Sequence, residues 1–259
     1  MTSNNPIYSF HSAKHEVALH SPTALPNACG FLWNKDMMIQ MNCRGYASAQ
    51  HMQPEPAKYS KGPALESTTF MQPEHHYYTD HPGRFFYVKL DDKPLFSMPY
   101  EPVKAPLESF VFVHAKDELR WHIEQHGLQF VITLSLAQGV VEHWSLSVTN
   151  TSNKPLNPVI YPMFSIGYLS WMNQSASYNE SLKCIVAKSV TPYQKTQDYP
   201  YISSLKDITF FASETKPDGF TCNYKKFLGE GHLCAPESLF FNNLRGEEAN
   251  YEVPVGVFQ

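Results

Sequence analysis

The segment from Trp171 to Glu180 carries the residue types that bind sugars. It holds two aromatic rings, each followed by amides, and ends on a carboxylate: Trp171, Asn173, Gln174, Tyr178, Asn179 and Glu180. The apolar face of an aromatic ring covers pyranose C–H groups, and amides match sugar hydroxyls, which both donate and accept hydrogen bonds. The segment therefore predicts contact with a saccharide. The alternative is that both rings fill the core and the amides form turns.

A second group of residues could ligate a metal. His122, Glu124 and His126 alternate at a spacing of two, so on a strand they would share a face and could bind zinc or another transition metal. The alternative is a solvated face opposite Trp121 and Ile123. We favour that alternative, because the neighbouring turn would bend His126 away and metal sites usually draw ligands from several elements.

Other titratable residues could support acid–base chemistry. The histidine-rich segment 75–81 could act as acid or base, and Glu55, Glu66, Glu74 and Asp80 could supply a carboxylate pair of the kind that hydrolyses glycosides. For the segment 75–81 a hydrogen-bonded surface loop is preferred, and nothing in the sequence fixes the separation of the four carboxylates, on which glycoside hydrolysis depends. Motifs for a nucleophilic serine, a phosphate-binding loop or a dinucleotide are absent from the sequence. We assign no catalytic residue and no metal site.

Composition excludes several classes of protein. The 259 residues carry a net charge of −4 with no cluster of Lys and Arg, which argues against a nucleic-acid partner. No apolar run reaches transmembrane length, and the polar start lacks the features of a signal peptide, so we expect a cytoplasmic protein without a membrane partner. The five cysteines are scattered and odd in number, which predicts free thiols.

The pattern of apolar residues predicts β-structure. Apolar and polar residues alternate over 119–124, 130–136 and 144–149, as in strands that bury one face. Gln125-His126-Gly127 joins the first two runs as a tight hairpin, in which glycine supplies the positive φ. Successive alternating runs with short turns predict an all-β fold, a large antiparallel sandwich.

Six short segments occur in a collinear order that is more specific than any one of them: 83–88 (Gly-Arg-Phe-Phe-Tyr-Val), 102–105, 148–152, 171–174 with Tyr178, 217–220 and 227–229. In this order they resemble the N-terminal β-sandwich of family 94 inverting glycoside phosphorylases, the group of cellobiose and chitobiose phosphorylases. The resemblance implies a β-supersandwich like that of galactose mutarotase. It further implies residues 1–30 as an N-terminal arm with the first strands and residues 31–259 as one supersandwich domain.

The resemblance also implies where the chemistry lies. In that family the sandwich packs beside an (α/α)6 barrel, in which an aspartic acid protonates the glycosidic oxygen while inorganic phosphate attacks the anomeric carbon. The family's D-W-N-D-like motif is missing from this sequence. We therefore expect an incomplete copy that lacks the last strands, the linker and the barrel, and that is inactive alone. Phosphate would be a co-substrate, and no cofactor is expected.

Site residues and partners follow from the same resemblance. The loop 171–182 would help to shape the acceptor-sugar subsite, and Arg44 lies in a segment that resembles another loop at the same mouth. Cellobiose phosphorylases carry Gln-Arg where this chain has Asn179 and Glu180, which argues against cellobiose as substrate. Expected partners are an oligosaccharide, the barrel of the same or an adjacent polypeptide, and a second copy in a homodimer. The alternatives are a stand-alone carbohydrate-binding module and, more weakly, an aldose epimerase.

Overall fold

The computed structural model describes residues 6–51, 83–166, 174–189, 207–241 and 243–259. Within these ranges the chain is almost entirely β-structure, as predicted. The strands are β1 (Tyr8–His11), β2 (Glu16–Leu19), β3 (Cys29–Trp33), β4 (Met37–Asn42), β5 (Ala47–His51), β6 (Arg84–Leu90), β7 (Phe96–Met98), β8 (Ser109–His114), β9 (Glu118–Gln125), β10 (Leu128–Leu136), β11 (Glu142–Asn150), β12 (Pro158–Ser165), β13 (Ser175–Asn179), β14 (Cys184–Ser189), β15 (Asp207–Ala212), β16 (Phe220–Asn223), β17 (Ala249–Asn250) and β18 (Pro254–Phe258). The helices are α1 (Tyr224–Leu228) and two 3₁₀ turns, Ser12–Lys14 and Glu237–Phe240.

The strands form four antiparallel sheets. The two large sheets and the three-stranded sheet share the main core, and the four-stranded sheet packs on a separate core, which confirms the predicted sandwich architecture. The strand orders are β1-β2-β8-β9-β10-β11, β16-β18-β12-β6-β7, β15-β14-β13-β17 and β3-β4-β5. The first two strands of the N-terminal arm thus extend the six-stranded sheet, where β2 pairs with β8. The domain boundary between residues 30 and 31 stays a prediction.

Alternation of side chains explains the six-stranded sheet. In β10, Phe130, Ile132 and Leu134 are fully buried and their neighbours are partly exposed, as the sequence pattern predicted. The turn between β9 and β10 consists of His126 and Gly127, with φ values of +54° and +75°. Two residues of positive φ match the right-handed twist of paired strands, so the predicted hairpin is confirmed.

The five-stranded sheet is the middle layer and is buried on both faces. In β6, Phe86 and Val88 point into the main core between the two large sheets. Phe85 and Tyr87 point the other way, into a second core that α1 and the second 3₁₀ turn cover. Such a strand has no apolar–polar alternation, because a strand covered on both faces reads as a continuous apolar run.

The four-stranded sheet packs on a third core next to the end of β18. Apolar residues of β13 and β14 form part of this core, together with one aromatic ring from β18: Ala176, Ile185, Ala187 and Phe258. All five cysteines are free thiols, and three of them are buried. Across the described ranges, no helix is long and apolar enough to cross a lipid bilayer.

Candidate functional site

Strand β13 carries the described part of the predicted sugar-contacting segment. Trp171 and Asn173 lie outside the described residues. Gln174, which is 2% exposed, directly precedes β13, and Ala176 and Tyr178 follow on the same face toward the third core. Because alternate residues of a strand face opposite sides, these side chains form an inward row. The row leads from Gln174 to the turn between β13 and β14.

Tyr178 is held by aromatic packing. Its ring stacks on Phe220 at a centroid distance of 4.4 Å and an interplanar angle of 21°, and it meets the edge of Phe258 at 6.2 Å. Its hydroxyl oxygen is buried without a hydrogen-bond partner in the described part of the chain. Burial, and after it the Glu180 carboxylate, raise the pKa of Tyr178. Most of the ring therefore serves the core, and one polar atom is left for a further contact.

Asn179 ends β13, and Glu180 begins the turn that follows it. The side-chain oxygen of Asn179 accepts hydrogen bonds from the Ser181 hydroxyl at 2.8 Å and from the Leu182 backbone N–H at 3.1 Å. This side chain therefore shapes the turn, as asparagine often does. Glu180 is exposed and accepts a 2.5 Å hydrogen bond from Lys216, which raises the pKa of Lys216.

The Glu180–Lys216 pair presents both signs of charge at one exposed turn. Both side chains are about two-thirds exposed, at 69% and 65%, so either can exchange its partner for a ligand. The sequence patterns did not indicate Lys216, because it lies 36 residues further along the chain. Lys216 thus supplies a cationic donor beside Glu180.

Arg44 lies in a separate cluster. Its guanidinium forms an ion pair with Glu101, whose side chain is 2% exposed, and it lies 5.2 Å from the centre of the Tyr100 ring. The backbone N–H of Glu101 also donates to the Arg44 carbonyl at 2.9 Å, and Lys104 approaches the same carboxylate at 3.6 Å. Arg44 therefore joins two loops, and its own side chain is 18% exposed.

The described residues of the predicted site thus fall into two separate groups. Tyr178, Asn179 and Glu180 lie together on β13 and the turn that follows it. The side chain of Arg44 contacts Tyr100 and Glu101, and within the described ranges no contact joins it to β13. The two clusters are separate contributions to any saccharide site.

The alternating histidines are not assembled as a metal site. His126 sits in the turn, where its ring meets Phe96 at 5.8 Å and its Nδ1 lies 3.8 Å from Glu108. Burial and the neighbouring Arg120 lower the pKa of His122. The described residues contain no group of three or more His, Cys, Asp or Glu side chains placed to hold a metal ion. The segment 75–81 and Glu55, Glu66, Glu74 and Asp80 lie outside the described residues.

One polar cluster that sequence patterns did not indicate joins the two large sheets. Arg84 of β6 and Glu142 of β11, whose side chains are 7% and 14% exposed, form a largely buried ion pair with two hydrogen bonds, of 2.8 Å and 2.7 Å. Burial alone would raise the pKa of Glu142, but the Arg84 charge and the hydrogen bonds from Arg84 and Trp144 lower it overall. The carboxylate is therefore ionised inside the sandwich.

Comparison with known proteins gives one family and two curated relatives. The family described as "Glycosyl hydrolase 94, supersandwich domain" matches residues 71–259. The chain is 49% identical over 241 residues to a cellobionic acid phosphorylase of Neurospora crassa, covering 92% of the chain and 30% of that protein. It is 23% identical over 183 residues to a 3-O-beta-D-glucopyranosyl-beta-D-glucuronide phosphorylase of Paenibacillus borealis, covering 68% of the chain and 23% of that protein. The chain spans less than a third of the length of either relative.

Proposed function

Since the chain belongs to the glycosyl hydrolase 94 supersandwich family, as its sequence resemblance predicted, we propose that it is the N-terminal, carbohydrate-associated domain of a glycoside phosphorylase. The observation that carries the proposal is 49% identity to a phosphorylase over 92% of the chain. The all-β architecture supports it, because this family describes a sandwich domain. We further propose a strand arrangement like that of galactose mutarotase.

The reaction proposed for the whole protein is phosphorolysis of β-linked disaccharides or oligoglucans. An oxygen of inorganic phosphate attacks the anomeric carbon, the bond from that carbon to the glycosidic oxygen breaks, and a carboxylic acid protonates the departing oxygen. The products are a sugar 1-phosphate and the shortened acceptor. The general acid would come from an (α/α)6 barrel, phosphate would be the co-substrate, and no other cofactor is required.

An acidic acceptor sugar is the substrate class that we propose. The names of both relatives denote acidic sugars, cellobionic acid in one and a glucuronide in the other. In this chain Lys216 offers an exposed ammonium group beside Glu180, and an ammonium can pair with a sugar carboxylate. A disaccharide with a neutral acceptor unit, such as cellobiose, gains nothing from that cation.

This domain would contribute contacts rather than chemistry. It would pack against the barrel, take part in a homodimer and line the acceptor subsite, in a protein that we expect in the cytoplasm. The residues that we assign to the subsite are Trp171, Asn173, Gln174, Tyr178, Asn179 and Glu180, with Arg44 at a second loop.

The proposal is tested by phosphorolysis with the full-length protein. Cellobionic acid and cellobiose are compared at saturating phosphate, and sugar 1-phosphate is measured. We expect a preference for cellobionic acid. Lys216→Met should raise KM for cellobionic acid by about tenfold, because a hydrogen bond to a charged group is worth about 1.5–3 kcal/mol, and should leave KM for cellobiose unchanged. Lys188→Met, which removes an exposed lysine of β14, is the matched control. Equal turnover of both sugars would contradict the acidic-acceptor assignment.

A stand-alone carbohydrate-binding module is the second candidate, and one observation favours it. Trp33 and Phe31 lie two residues apart on the outer face of β3, and they are 67% and 42% exposed. Calorimetric titration of the chain with short β-glucans separates the candidates. Binding tighter than about 1 mM, near −4 kcal/mol, that Trp33→Ala abolishes would favour the module. No binding would favour a domain that works only beside its barrel.

A further inference from the structure

An open groove of about 850 Å³ lies at the end of the six-stranded sheet where β2 stops and β8 begins. It is lined by Pro6 and Ser9, the segment 20–23, Tyr100 and the segment 106–111. None of these residues belongs to β13 or to the turn that follows it. A volume of this size falls within the range of pockets that hold small ligands, so the groove is large enough for a short saccharide.

Part of β8 has a free backbone edge in this groove. Leu19, the last residue of β2, pairs with Phe112, whereas residues 109–111 pair only with β9 in the part of the chain that the structure describes. All three of these residues line the groove. Because an unpaired strand edge keeps backbone N–H and C=O groups available, the groove offers main-chain donors and acceptors to a ligand.

Hydroxyl and imidazole groups lie along the groove where β1 meets the loop after β2. The Ser9 hydroxyl lies 2.9 Å from Nε2 of His20, whose backbone N–H donates to the Ile7 carbonyl at 2.9 Å. The Ser21 hydroxyl accepts a hydrogen bond from the Thr23 backbone N–H at 3.2 Å and lies 3.2 Å from the Thr23 hydroxyl. These bonds order the loop before a ligand arrives, which lowers the entropic cost of binding.

Tyr100 brings an aromatic ring to the groove, and its backbone is held in place. The Tyr100 carbonyl accepts hydrogen bonds from the Ser97 hydroxyl and from the Lys104 backbone N–H, both at 3.0 Å. The guanidinium carbon of Arg44 lies 5.2 Å from the centre of the ring. A ring held in this way offers an apolar surface for the C–H groups of a pyranose.

Glu108 supplies the one carboxylate among the described residues that line the groove. Its side chain is 58% exposed, and its Oε1 accepts a hydrogen bond from the His126 backbone N–H at 3.0 Å. The second oxygen, Oε2, has no hydrogen-bond partner within the described ranges, so it can accept from sugar hydroxyls. No lysine or arginine is among the described lining residues, and the carboxylate would repel an anionic ligand.

We propose that this groove is a saccharide-binding site whose ligand is a neutral β-glucan segment. The site goes beyond the proposed function, because it needs neither phosphate nor a catalytic domain. The hydroxyls of β-glucose are equatorial, so C–H groups cover both ring faces and suit the Tyr100 ring. The hydroxyls at the edge of the sugar ring match the Glu108 carboxylate and the free edge of β8. The acidic sugars proposed for the turn that follows β13 are disfavoured here.

Affinity electrophoresis of the 259-residue chain tests the site. Native gels contain hydroxyethyl cellulose, a neutral β-glucan, or carboxymethyl cellulose, an anionic one, and mobility is compared with that in a polymer-free gel. We expect the neutral polymer to retard the chain more than the anionic polymer does. Tyr100→Ala and Glu108→Gln should each raise the apparent Kd for the neutral polymer by about tenfold, through loss of the ring and of a charged acceptor.

Three matched variants separate this groove from other surfaces. Tyr100→Phe keeps the ring and should keep binding, Glu124→Gln removes an exposed carboxylate of β9 outside the groove, and Trp33→Ala removes an exposed ring of β3. The last two should leave the apparent Kd unchanged. If Tyr100→Ala fails to fold in a thermal unfolding control, Glu108→Gln decides, because glutamine keeps an oxygen for the His126 N–H.

The proposal is overturned by any of three results. The unsubstituted chain is not retarded by the neutral polymer, it is retarded more strongly by the anionic one, or binding survives Glu108→Gln at full strength and is lost in Trp33→Ala. None of these results bears on phosphorolysis by the full-length protein, so the groove and the proposed function fail separately.

Discussion

Replacing Glu142 by Gln should destabilise the fold more than replacing any exposed carboxylate. The substitution leaves the Arg84 side chain, 7% exposed, without a counter-charge inside the sandwich. Glutamine also offers only one acceptor oxygen, so its NH₂ group is placed against a guanidinium or indole donor. Removing one partner of a buried ion pair costs about 3–5 kcal/mol, since the remaining charge stays desolvated.

The magnitude can be read from urea or thermal unfolding followed by tryptophan fluorescence. Trp121 and Trp144 stack at 6.0 Å beside the pair and report on this part of the core. For a domain of this size each kcal/mol moves Tm by about 2–4 °C, so Glu142→Gln should lower Tm by about 6–20 °C.

Two further variants make the measurement decisive. Glu118→Gln removes a carboxylate that is 37% exposed and lies 3.2 Å from Arg120, and it should cost about 0.2–1 kcal/mol. The double variant Arg84→Met with Glu142→Leu should regain most of the stability, because apolar residues of similar volume replace a buried pair at little cost. If Glu142→Gln costs no more than Glu118→Gln, the pair is screened by solvent and our account of it is wrong.

Three other outcomes are expected. The neighbours of Glu142 lower its pKa, so the contribution of Glu142 to the free energy of unfolding should be complete above pH 4.5, the usual pKa, and should be lost as the pH falls toward the lowered pKa. If the free energy of unfolding of Glu142→Gln falls with the same slope in acid as that of the unsubstituted chain, this expectation is refuted. Gly30→Ala should cost about 1–3 kcal/mol in urea unfolding, because the added Cβ would lie 2.4 Å from Cδ2 of Leu119, and a neutral result would contradict the packing. With a thiol reagent, exposed Cys234 should react first, whereas Cys43 and Cys222, whose pKa values burial raises to about 12, should react only after unfolding. Cys234→Ser should remove the fast phase, and fast reaction of either buried thiol would count against the fold.

The sequence predicted the parts of the fold that follow a simple period. Strands β9 and β10 were recognised because one face meets the core and the other is partly exposed, whereas in β11 the alternation is weaker, since Trp144 and Leu146 are only partly buried and Val148 is exposed. The middle layer gave no such signal. Strand β6 is covered on both faces, so its residues 85–88 form an unbroken apolar run, and only the family resemblance pointed to this stretch.

The site was less predictable because its contacts join residues far apart in the chain. Glu142 lies 58 residues from Arg84, Glu101 lies 57 residues from Arg44, and Lys216 lies 36 residues from Glu180. No local pattern selects these partners, since sheet packing decides which strands meet. The resemblance identified the loops of Arg44 and Tyr178, but not the ion pair of Arg44 or the aromatic stack of Tyr178.

The central claim is that this sandwich contributes sugar contacts while another domain carries the chemistry. The most direct measurement incubates the 259-residue chain with cellobionic acid and phosphate, beside the full-length protein, and measures sugar 1-phosphate. We predict release by the full-length protein and none by the chain alone. Release by the chain alone would contradict the claim, because it would place the general acid and the phosphate site within these residues.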